Sequence, residues 1–436
     1  MANSTKLVVI PDSGADLLRA ELVHAFKVLG FSTLQVTPAE LATPASPRYL
    51  PRLLDKKPAL FFSVNLQGLI PGGELTKQLA ASGTPTVAWF VDNPWNQLSA
   101  MRDPSWKNIY LAVTDHTFIA PLTSAGAKRV LHMPLAASPV HMQLPPELMH
   151  KTAQKLPALN QIVFAGRSAF AGMQDFFAGQ QLPLMAEEKA ESMLKKGFGA
   201  NLPRPDFNWW VKELELKSEQ QYFWPGKKAR RPGFGAAKYN MQWRAMCLKS
   251  AAGISNTTNT QSVAAVHSSA DMGTTNKTTS IGYNTTTQST DVNLPSCGLS
   301  LFGDTGWQQH QPEQTGAITL HPPVDYYHTL PALYQKAEFS LNLNSLLLPA
   351  GLTQRIFDVW VAGGFCLTDY SDGLKIFPQE LVNEICFSSA QNLPELVQNF
   401  VNNPARKKEI RAAWREHILA EHTYINRLQK LLEDLT

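Results

Sequence analysis

Residues 341–369 read LNLNSLLLPAGLTQRIFDVWVAGGFCLTD, and how this stretch is read decides the fold. The hydrophobic run 339–343 predicts a strand, and Pro349, Ala350 and Gly351 break it. From Leu352 the pattern turns to that of a short amphipathic helix, with Ile356 and Trp360 on one face and Phe357 and Val361 beside them. Arg355 and Asp358 take polar positions on this otherwise apolar helix. Gly363 and Gly364 predict a left-handed C-terminal cap, and 365–368 reads as a buried strand ending at Asp369. A strand–loop–helix–strand unit presents the free N–H groups of a helix N-terminus at the carboxyl edge of a sheet. That is a natural seat for a phosphate or diphosphate.

Working outward, the same alternation recurs. Strands are predicted at 6–10, 31–36, 59–65, 84–91, 109–114 and 128–132, with helices at 15–29, 74–82 and 118–125 between them. Polar residues gather just after the strand ends: Asp12, Asn65, Asp92, Asp115 and His116. The proline-bearing segment 139–159 reads as a domain connection. A second series starts with a strand at 162–165 and the loop Gly166-Arg167-Ser168. Residues 169–249 read as mostly helical, with interruptions around 201–205 and 224–234. Residues 251–293 are dominated by Ser, Thr, Asn, Gln and Ala and predict a disordered or loosely attached insertion. The sheet resumes at 298–302, followed by the loop with Asp304 and Trp307. A long charged helix over 404–435, with Ile410, Trp414, Ile418 and His422 in one stripe, closes the chain. Strands alternating with helices predict parallel sheets covered on both faces. The expected class is therefore α/β, with two successive domains, 1–150 and 151–436, facing each other across a ligand cleft.

The 436 residues allow two or three domains, and a 44% hydrophobic and 17% charged composition is that of an ordinary globular chain. A net charge of +4 argues against a dedicated nucleic-acid binder, and the basic cluster Lys227, Lys228, Arg230 and Arg231 reads as a solvated loop. The four cysteines, Cys247, Cys297, Cys366 and Cys386, are too widely spaced for a metal site. No signal peptide or membrane-spanning run is evident, so a cytoplasmic protein is expected. The first strand is followed by Pro11-Asp12-Ser13-Gly14, not by a dinucleotide glycine fingerprint, which speaks against a dehydrogenase.

Four pieces carry a family resemblance. LPALYQKAEFSLNLNSLLLPAGLTQRIFDVWVAGGFCLTD (330–369) and EHTYINRLQKLL (421–432) resemble the C-terminal domain of CgeB-like (spore maturation protein B-like) glycosyltransferases. VAWFVDNPW (87–95) and GAKRVLHMPLAASP (126–139) resemble the domain that precedes it in that family. The resemblance implies a GT-B fold, with two Rossmann-like domains and a C-terminal helix closing them. It also implies a nucleotide-sugar donor on the second domain and an acceptor glycan, protein or small molecule on the first. No cofactor beyond the donor, no metal, no nucleic acid and no integral membrane segment are implied.

By position, Arg355 and Asp358 match the family's R-x-F-[DE] element, where the carboxylate accepts bonds from the donor ribose. Gly351, Leu352 and Thr353 match the loop that cradles the diphosphate, and Arg167 matches a glycine-basic loop that neutralises the leaving group. A second basic residue beside Arg167 is not evident, since Ser168-Ala169-Phe170 follows. Asp304 is expected near the donor base. Asp92, Asp115 and His116 are the candidate general bases, because a base must stand within hydrogen-bond reach of the acceptor hydroxyl. Each has a structural alternative, such as an Asx turn at Asp92-Asn93-Pro94 or a surface ion pair at Asp358. A non-catalytic nucleotide-sugar or glycan-binding protein and a nucleotide-sugar epimerase remain the alternative functions.

Overall fold

The computed structural model describes residues 6–12, 17–42, 46–69, 73–99, 101, 103–170, 172–214, 226–253, 298–310 and 317–435. Long apolar runs such as Leu60–Val64 (β3) and Thr86–Phe90 (β4) are buried on both faces, as parallel strands between helical layers must be. With Leu7–Pro11 (β1), Ser32–Val36 (β2), Tyr110–Val113 (β5) and Arg129–His132 (β6) they form one six-stranded parallel sheet in the order β2-β1-β3-β4-β5-β6. The second sheet contains Ile162–Ala165 (β7), Leu299–Phe302 (β8), Ile318–His321 (β9), Phe339–Asn342 (β10), Cys366–Asp369 (β11) and Cys386–Phe387 (β12). Its order is β12-β11-β10-β7-β8-β9, again parallel throughout.

Each order contains one point where the winding reverses, between β1 and β3 in the first sheet and between β7 and β10 in the second. Loops leaving the carboxyl ends of those strands diverge to opposite faces and leave a crevice, where ligands of open parallel sheets bind. The chain is built so that both crevices open toward each other.

Four sequence expectations change. The helix after Gly351 spans Arg355–Val361 and is not amphipathic, because Ile356 through Val361 are all buried. The C-terminal helices cover its second face, with Trp414 stacked on Trp360 at 5.2 Å and nearly parallel. Residues 226–234 are no interruption, since a helix runs Gly226–Ala251 with Pro232 inside it. The closing helix is two helices, Pro404–Glu421 and Tyr424–Asp434, separated by a Thr423–Asn426 capping box. The break lets residues 422–424 pair with the first half: Ala137 N–H donates to His422 O at 2.8 Å and Tyr424 N–H to Ala137 O at 3.1 Å. The last helix then packs on the helix Arg19–Val28 and places Tyr424 edge-on to Trp89 at 6.2 Å. The basic cluster lies on the helix Gly226–Ala251 and not in a loop: Arg230 donates to Phe176 O from a half-buried position, and Arg231 donates to Gln181 O while staying exposed. From residue 254 to 293 the low-complexity segment lies outside the described residues.

The Gly363-Gly364 stop has the expected form. Gly363 sits at φ +88°, its N–H donates to Trp360 O at 3.1 Å, and Gly364 N–H donates to Val359 O at 2.9 Å. Gly363→Ala places a Cβ in the left-handed region and is expected to cost about 1 kcal/mol, read as a lowered urea midpoint at unchanged m.

Candidate active site

The residues that leave β7 and β10 wall one side of a cavity of about 990 Å³, and those that leave β1, β3 and β4 wall the other. On the second-sheet side, Gly166, Arg167 and Ser168 follow β7, and Gly351, Leu352, Thr353 and Arg355 follow β10. Opposite them stand Asn65, Gln67 and Asp92. The cavity thus lies where the two winding reversals meet.

The loop 345–353 is held from both halves. Ala350 N–H donates to Asp115 Oδ2 at 2.8 Å, and Asn93 Nδ2 donates to Leu347 O at 2.9 Å. Gly351 is required because a Cβ there would lie 2.7 Å from Leu348 Cβ. Its N–H is taken by Leu348 O at 3.2 Å. The N–H groups of Leu352, Thr353, Gln354 and Arg355 have no partner among the described residues, so this is where an anion would be received.

Three arginines reach the cavity. Arg167 is exposed to it and its guanidinium makes no ion pair among the described residues. Arg355 is clamped: it donates to the carbonyl of Ala165, reaches Asn342 Oδ1 at 3.2 Å and lies over the Phe164 ring at 4.7 Å. Arg244 comes from the long helix Gly226–Ala251, and its contact with Arg167 O at 3.3 Å places it beside that loop. Burial lowers its guanidinium to about 10, and the nearby positive charge of Arg355 adds to the shift, while Asp369 opposes it. The Nε atoms of Arg244 and Arg355 are both buried without a hydrogen-bond partner. Each of these two neighbouring cations thus keeps one N–H without a partner, while its other described donors go to Ala165, Asn342 and Arg167. Sequence reasoning looked for the second cation next to Arg167. It lies 77 residues further on, in a helix whose local pattern carries no signal for it.

Of the candidate bases, Asp92 alone lines the cavity. Crowding by protein raises its carboxyl above the usual range, opposed by the hydrogen bond from Asn65 Nδ2 at 2.8 Å. Asn65 is held at φ +48° and also accepts from Val91 N–H at 3.0 Å, so it orients Asp92 from the neighbouring strand end. The Asx-type turn belongs to Asn93, which caps the helix Pro94–Leu98 by accepting from Trp95 N–H at 3.0 Å. Asp115 is fully buried and its carboxylate is taken up by Thr117 N–H, Thr117 Oγ1 and Ala350 N–H. His116 is exposed and packs edge-on to His132 at 5.5 Å, away from the cavity lining.

Two expected donor contacts lie one layer back from the cavity. Asp304 accepts from Ser168 N–H at 2.9 Å, Ser168 Oγ at 2.5 Å and Gly306 N–H at 2.9 Å. Although burial opposes it, these bonds hold its carboxyl below the usual range. Asp304 therefore fixes the loop that carries Arg167, and Ser168 is the residue that faces the cavity. Asp358 is 1% exposed and accepts from Tyr326 Oη at 2.7 Å and Gln354 Nε2 at 2.8 Å. Tyr326 and Gln354 line the cavity in front of it. Burial pushes the Asp358 carboxyl up to about 7, its two hydrogen bonds oppose this, and nearby Glu21 adds to it.

Comparison with known proteins agrees with this architecture. Residues 286–433 match the family model described as glycosyl transferase-like. No curated protein matches the chain. Among solved structures, HepE of Anabaena in complex with UDP-glucose is 11% identical, with a TM-score of 0.51 over 98% of this chain and 99% of that one. A UDP-forming α,α-trehalose-phosphate synthase of Burkholderia xenovorans is 9% identical, with a TM-score of 0.47 over 98% of each chain. The two facing parallel sheets are those of a GT-B fold, two Rossmann-like halves with the cavity between them. Among the described residues, no helix is long and apolar enough to cross a membrane.

The Asp358 carboxyl gives a signed prediction. Below pH 3.8 it is protonated in both folded and unfolded chains, so its burial carries no pH-dependent penalty. Between 3.8 and about 7 the unfolded chain ionises first and stability falls as pH rises. Asp358→Asn is therefore expected to flatten the dependence of Tm on pH across that window, measured by thermal melts at several pH values. Asp358→Ala instead strands the Tyr326 hydroxyl and the Gln354 amide and is expected to cost about 1–3 kcal/mol.

Proposed function

We propose that this chain transfers a sugar from a nucleoside-diphosphate sugar to an acceptor, with the donor on the 151–436 domain and the acceptor on the 1–150 domain. The observation that carries the reading is the convergence of Arg167, Arg244 and Arg355 with the unpartnered N–H groups of 352–355 at the winding reversal of the second sheet. The glycosyl transferase-like match over 286–433 and the fold shared with a UDP-glucose complex support it.

In the transfer the bond between the anomeric carbon and the diphosphate oxygen breaks, and its electron pair leaves with the nucleoside diphosphate. Charge therefore builds on the leaving group as the sugar becomes cationic, and the site must stabilise both at once. Arg244, half-buried on its helix, and Arg355, clamped by Ala165 and Asn342, act on the diphosphate with little reorganisation, and Arg167 reaches it from the exposed loop. This assigns the neutralising charge to arginine and not to a metal ion. Asp92, on the opposite wall, takes the proton of the acceptor hydroxyl as the new glycosidic bond forms. Its raised carboxyl makes it a better proton acceptor than an ordinary aspartate. Asp358 reaches the donor side through Tyr326 and Gln354, so in this reading it acts as a positioning residue behind the wall.

UDP-glucose is the first donor to test, beside GDP- and ADP-sugars, by thermal shift and then by release of free nucleoside diphosphate in the presence of EDTA. Arg244→Ala and Arg355→Ala are each expected to lower kcat about 100-fold or more, the loss typical of removing one stabiliser of transition-state charge. Asp92→Asn is expected to lower acceptor-dependent turnover by about 100-fold or more. Unchanged turnover in all three variants would overturn the assignments. Nucleotide binding without turnover would leave a binding protein, and an isomerised sugar still attached to its nucleotide would reveal an epimerase.

A further inference from the structure

The cavity is electrically partitioned. Its three described cations, Arg167, Arg244 and Arg355, all stand on the second-sheet side. Among the described residues, the first-sheet wall carries no Lys, Arg or His, and its only charge is the carboxylate of Asp92. What lines that wall instead is carboxamide. Asn65 is spent on orienting Asp92, but the side chains of Gln67, Asn96 and Gln97 make no hydrogen bond within the described residues. Asn96 Oδ1 is buried with no hydrogen-bond partner among the described residues. An unspent carboxamide both donates and accepts, and Asp92 and Asn96 Oδ1 add acceptors that only a donor can satisfy.

An apolar surface meets this wall. Phe170 and Phe176 line the cavity and pack edge-on to Phe177, at 5.7 and 4.9 Å between ring centroids. Phe177 and Asn96 approach the same glycine, Gly233, where an added Cβ would sit 3.1 and 3.3 Å from them. The carboxamides and the aromatic cluster thus border one end of the cavity.

From this partition we infer that the acceptor is a neutral saccharide. Its hydroxyls match the two-way hydrogen bonding of Gln67 and Gln97 and donate to Asp92 beside the bond it already accepts from Asn65. The aromatic rings supply a face for its C–H groups. A phosphorylated or carboxylated acceptor would meet the Asp92 carboxylate and, among the described residues, no cation on its own wall, and a nucleic acid would do so repeatedly. This inference rests on the donor and acceptor assignment proposed above and narrows the acceptor class.

The test is saturation-transfer NMR on the full chain with saturating UDP. The neutral probes are maltotriose, cellotriose and chitotriose, and the anionic probes are tri-galacturonate and a short DNA duplex. Saturation transfer to at least one neutral trisaccharide is expected, none to the anionic probes, and at least a tenfold weaker signal in the Gln67→Ala/Gln97→Ala variant. Preference for an anionic probe, no transfer to any neutral trisaccharide, or an unchanged signal in the variant overturns the inference. Thermal shift by UDP in the same samples separates the two readings. A UDP shift without saccharide binding sinks only the acceptor class, and saccharide binding without a UDP shift sinks only the donor assignment.

Discussion

The carboxylate of Asp115 and the backbone of Ala350 form the contact on which the rest of the site depends. Asp115 follows β5 in the first half, and Ala350 lies in the loop leaving β10 in the second. Their bond, with that from Asn93 to Leu347, fastens the loop after β10 to the opposite half. A buried carboxylate is costly unless its lone pairs are satisfied, and here Thr117 and Ala350 satisfy them. The two halves are tied a second time at the far end of the chain, where residues 422–424 pair with Ala137 and Gln354 links Tyr424, Ala136 and Asp358. The cavity is therefore framed by hydrogen bonds from both halves, so groups on its two walls hold a defined spacing.

That frame explains the electrostatics. Arg244 and Arg355 stand near one another without an acidic partner at hydrogen-bond distance among the described residues, and burial together with the Arg355 charge lowers the Arg244 guanidinium. The nearest acid, Asp369, is committed to Asn344 and to Trp243 at 2.8 Å, and it steadies the helix that carries Arg244 without neutralising it. Asp304 does the same for the Arg167 loop through Ser168. In both places an aspartate holds the loop or helix that bears a cation, and for Asp304 this replaces the expected place near the donor base.

Much of this was legible in the residues. The parallel strands announce themselves as continuous apolar runs, and predicted and observed strands agree within one or two residues in both halves. The glycine pair at 363 and 364 stops its helix for a local reason, the left-handed backbone. The loop 351–353 and Arg355 reach the cavity because sequence neighbours along one strand–loop–helix unit share one sheet edge. The errors are equally physical. The helix Arg355–Val361 read as amphipathic because a partner from residues 404–421 cannot be seen locally. The single closing helix read as unbroken because its interruption is enforced by pairing with Ala137, far away in the chain.

The sequence by itself determined the two parallel α/β halves and the strand ends at which polar side chains collect, since apolar periodicity and glycine conformation act over a few residues. The tertiary structure decided which of those polar groups meet. Asp92 faces the cavity while Asp115 turns into the join between the halves, and Arg244 arrives from a remote helix to stand beside Arg355. Any carboxylate at a strand end has the same local pattern, and only the packing of one half against the other fixes whether it meets a backbone N–H or open space.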